Sequence, residues 1–277
     1  RCEKSYKKFM NPLLSIIIVN YNHKYFPRMC VEAVLKSNTD FSYEIIVVDN
    51  KSEDESIDYL READKKGTIR LIESGANLGY GKANNLGVKH AKGEFIVISN
   101  PDIFVKQDTM QKMLDHLKKN KKIGILAPRL RYYNGKIQES CRRYMTFLDL
   151  VIKRTPLKKI PTFKKRLDHY LMNDFDHNKT QSVDLVTGAY FMMKKAVYDE
   201  VKGFDPRYFL FMEDYDLCLK VHKAGYQVVY FPETEAEHYH KRLSGGNILG
   251  LLFHRVFWSH LKSSFQYFWK WRGKKPL

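Results

Sequence analysis

The sequence predicts an α/β fold built on a parallel, doubly wound sheet, and three observations predict it. Short continuous apolar runs recur at residues 14–19 (LSIIIV), 44–48 (EIIVV) and 95–98 (FIVI), and such runs read as strands buried on both faces. Segments with helical spacing lie between them, so strand and helix alternate. The strands end in polar groups: Asn20-Tyr21-Asn22, Asp49-Asn50 and Ser99-Asn100-Pro101-Asp102. The carboxyl ends of parallel strands are where open α/β sheets bind ligands.

The chain of 277 residues is long enough for one large or two modest domains with a sizeable core. Its 44% hydrophobic and 14% aromatic content excludes a disordered chain. Lys and Arg number 48 against 31 Asp and Glu, a net +17, which points to an anionic partner: nucleic acid, an acidic membrane surface or a phosphorylated substrate. Cys2, Cys30, Cys141 and Cys218 stand far apart, with no metal-type CxxC pair and no disulfide framework, so a reduced, cytoplasmic chain is expected. No apolar run reaches the roughly 18 residues of a membrane span, and no signal-peptide pattern is present. Residues 1–9 precede Met10 and read as an extension.

Taken in order, a helix is expected over residues 27–37, with Pro27 in its first turn. After the strand at 44–48, Ser52 and Glu55 have the spacing of a capping box for a helix reaching about Ala63. A short strand follows at 68–73, and Gly75, Gly79 and Gly81 loosen the turn before a helix at 82–91. The stretch NLGYGKANN is neither the dinucleotide glycine fingerprint nor a P-loop. Its glycines permit close backbone approach, and Asn77, Asn84 and Asn85 could hydrogen-bond a sugar or base; an ordinary strand-to-helix turn explains it equally. Asp102, ending the strand at 95–98, is a hard oxygen donor suited to Mg²⁺ or Mn²⁺, although Asn, Pro and Asp are also turn formers.

A helix at 107–119 and a strand at 123–127 come next. Residues 129–181 read as less regular, with a basic run at 153–166 broken by Pro156 and Pro161. Regular order resumes at 183–193, where Thr187, Gly188 and Ala189 suggest close approach by ligand or backbone. In FLFMEDYD, Glu213, Asp214 and Asp216 follow an apolar run. At a helix N-terminus such acids meet the positive dipole end, and one beside an apolar wall can be tuned as a general base; plain N-capping is the other explanation. Leu217, Cys218, Val221 and Ala224 continue as a core face. A strand at 227–231 leads to His238 and His240, which point the same way if the strand continues; imidazole can complete a metal site.

In that order SIIIVNYN, IIVVDN, NLGYGKANN, FIVISNPD, VTGA, FLFMEDYDLCLKVHKAGY and HYHKRLS resemble glycosyltransferase family 2, most of all its bacterial rhamnosyltransferase-like members. The likeness spans about residues 14–244. It implies the GT-A fold, a Rossmann-like, mostly parallel sheet with helices on both faces, and a reaction that inverts the anomeric centre of a nucleotide-diphosphate sugar, commonly with a divalent metal, Mn²⁺ or Mg²⁺. By this resemblance Asn20, Tyr21, Asn22, Asp49, Asn77, Gly79, Asn84, Asn85 and Asn100 lie along the nucleotide, and Gly188 and Ala189 near donor sugar and acceptor. Asp102 and His238 take metal positions. Asn100 stands where the family's Asp-x-Asp motif has its first Asp, which implies weaker metal binding. Asp214 is expected as base, with Glu213 orienting the acceptor or base; a family-level alternative swaps the two.

The implied donor is dTDP-rhamnose or a UDP-sugar, and the implied acceptor a saccharide or lipid-linked saccharide in bacterial surface polysaccharide synthesis. A non-catalytic sugar-nucleotide-binding or scaffold protein would also accommodate Asn100. A sugar nucleotidyltransferase would need a glycine- and arginine-rich phosphate loop after Val19, which is missing. No helix-turn-helix, RNP or zinc pattern supports nucleic acid. The expected organisation is a catalytic domain over 10–245 and a C-terminal segment over 246–277. Within it Leu249, Leu252, Val256, Leu261, Phe265 and Phe268 recur at three to five residues among Phe257, Trp258, Trp269, Trp271 and several Lys and Arg. That pattern fits an interfacial amphipathic helix on an anionic membrane, at its inner face, or a helix packed on the catalytic domain or on a second copy of the chain.

Overall fold

A computed structural model describes residues 11–239 and 255–272. The first half alternates strand and helix as expected: β1 (Leu14–Asn20), α1 (Phe26–Leu35), β2 (Tyr43–Asp49), α2 (Ser56–Lys65), β3 (Arg70–Glu73), α3 (Tyr80–His90), β4 (Phe95–Ser99), β5 (Ile103–Val105) and α4 (Thr109–Lys119). The chain continues through β6 (Ile123–Tyr132), β7 (Cys141–Arg142), α5 (Phe147–Arg154), α6 (Pro161–Leu171), β8 (Gln181–Ser182), β9 (Leu185–Val186), β10 (Tyr190–Lys194), α7 (Lys195–Glu200), α8 (Glu213–Lys223) and β11 (Gln227–His238). The last helix, α9, is Arg255–Trp271.

The main sheet runs β3-β2-β1-β4-β10-β6-β11-β5, with β8 also on β11. Strands β1 to β4 are parallel. The sheet is mixed rather than wholly parallel, because β10 enters between β4 and β6 antiparallel to both. That reversal has a positional effect: the start of β10 meets the end of β4, with Tyr190 opposite Ser99.

Every residue of β1 is buried, as a central strand covered on both faces requires. Ile16 and Ile18 pack towards α1, α2 and α4, while Ile17 packs towards α3, α7 and α8. The period-2 alternation of side chains thus divides one apolar run between two cores. Each buried isoleucine contributes about 1.5–3 kcal/mol.

Several expectations need correction. Ser52 and Glu55 make no capping box: α2 begins at Ser56, without a side-chain cap. Ser52 instead turns its hydroxyl to Asn20 and to the Asn22 N–H. The stretch 129–181 is more regular than expected, since Pro156 opens a short 3-10 turn and Pro161 opens α6. Proline at a first helical position loses no hydrogen bond, so these prolines start elements rather than break them. The capping box that does form is Thr146 with Asp149, at α5. Residues 183–193 split into β9 and β10 around the turn at Thr187–Ala189. Ala224 is exposed and outside the core. The strand expected to stop at Phe231 runs on through Pro232 to His238, with its register shifted between Phe231 and Glu235; bulges are where sheets accept proline. His240 lies outside the described residues, as do Cys2 and residues 246–254. Cys30, Cys141 and Cys218 are buried free thiols. Among the described residues no helix is long and apolar enough to cross a membrane.

A third core lies beside the sheet. Met145, Leu150 and Tyr170 from the α5–α6 region meet Tyr208, Met212 and Tyr267, the last from α9. This cluster joins the C-terminal helix to the segment that leads into α8.

Candidate active site

The floor of the candidate site is the pair of strand ends β1 and β2. Asn20 is fully buried. Its amide nitrogen lies 2.9 Å from Asp49 Oδ1 and 2.8 Å from Ser56 Oγ. Asp49 Oδ2 accepts the Ser52 N–H at 2.9 Å. Asn50 extends this network: its carbonyl oxygen accepts the Leu78 N–H, and its amide nitrogen reaches Asn77 Oδ1 and the Gly79 carbonyl. Asn22 has φ +55° and takes the Glu53 N–H on its side chain. Tyr21 is left exposed at the strand end. Asn20 Oδ1 is a buried acceptor without a hydrogen-bond partner.

Above the floor sits the start of α3. Gly79 has φ +81° and ψ 173°, a region open essentially to glycine alone. A Cβ there would stand 2.2 Å from the Phe209 carbonyl oxygen, the same oxygen that accepts the Tyr80 N–H at 3.0 Å. Glycine is therefore what lets the segment before α8 close on α3. Tyr80 donates its hydroxyl to the Gly188 carbonyl at 2.6 Å. Asn84 turns back to the Tyr80 carbonyl. Asn85 holds Tyr198 and both backbone groups of Phe204. The amides of Asn77, Asn84 and Asn85 thus shape the wall from within.

The acid pair stands where α8 begins. Phe211 and Met212 both have left-handed φ values, +71° and +70°. Such backbone costs about 1–3 kcal/mol per residue and clusters at functional sites. Asp214 Oδ2 accepts the Gly188 N–H at 3.0 Å, and Oδ1 accepts the Tyr215 N–H at 2.9 Å. Glu213 is buried, and its Oε2 has no hydrogen-bond partner. Burial pushes the Glu213 carboxyl above the usual carboxylate range, and the adjacent Asp214 charge adds to the push. Burial raises Asp214 too, but the Gly188 and Tyr215 N–H groups and the Arg142 charge favour its ionised form. The pair is thus unequal: two backbone N–H groups favour the charged form of Asp214, while Glu213 Oε2 has no partner.

Asp102 and His238 are brought together from β4 and β11. His238 Nε2 lies 3.3 Å from Asp102 Oδ1, and both side chains are almost fully buried. His238 Nδ1 lies 2.9 Å from Gln138 Oε1. Gln138 thus orients the ring so that Nε2 is turned to the Asp102 carboxylate. The Asp102 carbonyl also accepts the Tyr239 N–H, and Ala189 O accepts the Asn100 N–H. His23 faces Asp102 as well: burial lowers its pKa while the Asp102 and Asp54 charges oppose that. Among the described residues no three His, Cys, Asp or Glu side chains converge on one point. A carboxylate and an oriented imidazole nevertheless fit Mn²⁺ or Mg²⁺ held mainly by substrate phosphates and water.

Of the residues the resemblance implies, Asn20 and Asp49 end β1 and β2, Asp102 follows β4, His238 ends β11, and Gly79, Gly188 and Asp214 stand at the starts of α3, β10 and α8. The sequence reading named Asn50 only as part of a polar strand end and did not single out His23, Gln138 or Arg142. Asn50 carried the same signal as Asp49, a polar strand end; Gln138 lies in the stretch read as irregular, and no spacing marks it.

Residues 15–202 match the model of Glycosyl transferase family 2. The chain is 27% identical to the N-acetylglucosaminyl-diphospho-decaprenol L-rhamnosyltransferase of Mycobacterium tuberculosis, over 86% of this chain and 79% of that one. It is 26% identical to the rhamnosyltransferase WbbL of Escherichia coli, over 92% of each. GalNAc-T7, solved with UDP, GalNAc and Mn²⁺, superposes with a TM-score of 0.70 at 17% identity, over 96% of this chain and 49% of that one. The mannosyltransferase PcManGT of Pyrobaculum calidifontis, with GDP-Man and Mn²⁺, gives 0.59 at 18% identity, over 84% and 59%. This chain therefore spans only about half the length of GalNAc-T7. The shared fold is GT-A.

The raised Glu213 pKa makes a stability prediction. The folded state keeps a proton that the unfolded state releases above the ordinary carboxylate range, so stability falls as pH rises through that window. Glu213→Gln removes the titrating group. Denaturant midpoints measured from about pH 5 to pH 9 should show a shallower decline for the variant, with the variant more stable at the alkaline end. An unchanged or steeper decline would contradict the assignment.

Proposed function

The chain belongs to glycosyl transferase family 2, and from that premise we propose that it moves a sugar, with inversion, from a nucleotide-diphosphate sugar to a saccharide or lipid-linked saccharide. The observation that carries this reading is the split acid pair: Asp214, charged and aimed by the Gly188 N–H, on the same sheet edge as Asp102 and His238. The names of two relatives support transfer of a rhamnosyl group, and one of them names a lipid-diphosphate-linked sugar; with dTDP-rhamnose as donor, the reaction would serve bacterial surface polysaccharide synthesis. A UDP-sugar is the other donor class.

In the proposed step the acceptor hydroxyl gives its proton to Asp214 as its oxygen bonds to the anomeric carbon. The bond from that carbon to the diphosphate breaks, and the nucleoside diphosphate leaves with the electron pair. The sugar is oxocarbenium-like midway. Asp214 suits this role because its two backbone donors fix the carboxylate while burial keeps it basic. Protonated Glu213 contributes no competing charge and serves to orient the acceptor or Asp214. Asp102 and His238 are the residues that would hold Mn²⁺ or Mg²⁺, which supplies Lewis-acid stabilisation of the diphosphate. The neutral oxygen of Asn100 would make that binding weaker than at an Asp-x-Asp site.

A panel of UDP-, dTDP- and GDP-sugars with products resolved by mass tests the transfer itself. Asp214→Asn should lower turnover by about 10²–10⁴ with little change in donor binding. Glu213→Gln should be milder or act on acceptor KM. Near-normal turnover in Asp214→Asn together with a dead Glu213→Gln would move the base to Glu213.

The metal role makes a separate prediction. Chelator should suppress turnover, Mn²⁺ or Mg²⁺ should restore it, and Asp102→Ala should be folded but inactive. Full activity in excess chelator would rule the role out.

The reading extends to an anionic membrane surface at the inner face of the cell membrane, which would supply a lipid-linked acceptor. Two features support it. The outward face of α9 presents Leu261, Phe265 and Trp269, the latter two 67% and 59% exposed. The basic run lies beside it: Phe147 of α5 packs on Phe268 at 5.7 Å, and burial together with the Arg154 and Lys153 charges pushes His260 of α9 down to about 4. The chain should float with vesicles containing phosphatidylglycerol, more weakly as salt rises. The combined change Leu261→Ser, Phe265→Ser and Trp269→Ser should abolish flotation while leaving thermal stability intact. Equal flotation of both chains would defeat this part of the reading.

A further inference from the structure

Asp216, in the first turn of α8, is fully buried. Its charge is met by α9. Lys270 Nζ lies 2.7 Å from Asp216 Oδ1 and 2.7 Å from Asp205 Oδ2. Trp271 Nε1 donates to Asp216 Oδ1 at 2.8 Å, and the Tyr208 hydroxyl stands 3.4 Å from the same oxygen. Asp205 has its own cation in Arg207, whereas Asp216 pairs with Lys270.

Helix α9 also grips the segment before α8. Ser263 donates to the Leu210 carbonyl at 2.9 Å, and His260 packs on Phe211 at 4.7 Å. That segment holds the two left-handed residues Phe211 and Met212, and its Phe209 carbonyl takes the Tyr80 N–H. The turn carrying Glu213 and Asp214 is thus held between α3 on one side and α9 on the other.

We propose that Lys270 is a positioning residue for glycosyl transfer: by neutralising and tethering Asp216 it fixes the first turn of α8 and so the Asp214 carboxylate. The physical reason is that a buried carboxylate left without its cation either takes up a proton or draws its helix turn towards water. Asp214 lies two residues away on that turn, and its contact with the Gly188 N–H leaves little room for movement. Lys270 is not needed simply to attach α9, because Ser263 and Tyr267 contact the domain away from Asp216. The proposal rests on the reading of Asp214 as the base.

The test uses the full chain and four variants, with turnover, donor dissociation constant and melting temperature measured for each. Lys270→Met should lower kcat about tenfold or more at unchanged donor affinity, the scale of a misplaced catalytic group. Lys270→Arg keeps the charge and should stay within about threefold of the parent. Lys270→Met combined with Asp216→Asn leaves no uncompensated charge and should recover most of the lost kcat, since the two sites are coupled. If Lys270→Met keeps its kcat, if Lys270→Arg loses as much as Lys270→Met, or if the double variant fails to recover, the proposal is overturned. Should Lys270→Met not fold, the arginine and double variants decide alone. Asp214→Asn separates the two ideas: an active Asp214→Asn refutes the base, whereas an inactive one beside a fully active Lys270→Met refutes only the positioning role.

Discussion

Two carboxylates side by side at one buried helix terminus cannot both carry charge at low cost. Much of the molecule is arranged around that constraint. The positive end of α8 favours one negative charge, being equivalent to roughly half an elementary charge. The Gly188 and Tyr215 N–H groups direct that charge to Asp214. Glu213 faces Gly81 of α3, where a Cβ would come within 3.6 Å of the Glu213 Cβ, and has no partner on Oε2. Strain at Phe211 and Met212 sets the helix entry, and the absence of a side chain at Gly79 lets that entry close. Burial raises both carboxyls, and what distinguishes them is hydrogen bonding: two backbone N–H groups on Asp214, none on Glu213 Oε2.

The sheet supplies the second half of the arrangement. Had β10 run parallel to β4, Gly188 and Ala189 would lie at the opposite edge from Asp102. Its reversal brings the turn before β10 to the carboxyl end of β4, where Ala189 O takes the Asn100 N–H. The same reversal places the Gly188 N–H against Asp214. Strand β11, parallel to β6, then delivers His238 to Asp102 from the far side. Two strands that end, β4 and β11, and one that begins, β10, thus meet at one mouth.

The parallel half of the fold was legible because buried strands leave a continuous apolar run, and β1, β2 and β4 each have one. The direction of β10 was not legible, since a buried antiparallel strand leaves the same run as a parallel one. The prolines misled for a related reason: Pro156 and Pro161 read as breaks, yet proline also begins helices, and only the flanking contacts decide. At the site, residues whose chemistry is rare on a strand end, such as Asp49, Asp102 and His238, stood out. Residues doing equal work through amides, such as Asn50 and Gln138, did not, because asparagine and glutamine are ordinary in loops. Asn84 and Asn85 show the converse: polar residues beside a glycine-rich turn, read as ligand contacts, hold the wall together through Tyr80, Tyr198 and Phe204.

The C-terminal helix shows why periodicity alone left two readings open there. Its apolar and aromatic residues form not one stripe but two. Tyr267, Phe268 and Trp271 join the third core and the Asp216 network, while Leu261, Phe265 and Trp269 remain exposed. In sequence the two faces interleave at three and four residues, so they sum to a broad apolar helix that fits either a membrane or a protein partner. What separates them is Lys270. A lysine within an apolar helix reads as a surface charge, yet here it lies between two buried aspartates. Its inward course makes the Tyr267–Trp271 face internal and turns the other outward. At the outward face the Arg272 guanidinium stands 3.4 Å from the Trp269 ring centroid. The same helix is thus fixed from within by ion pairs to the acid-bearing turn while its other face stays exposed.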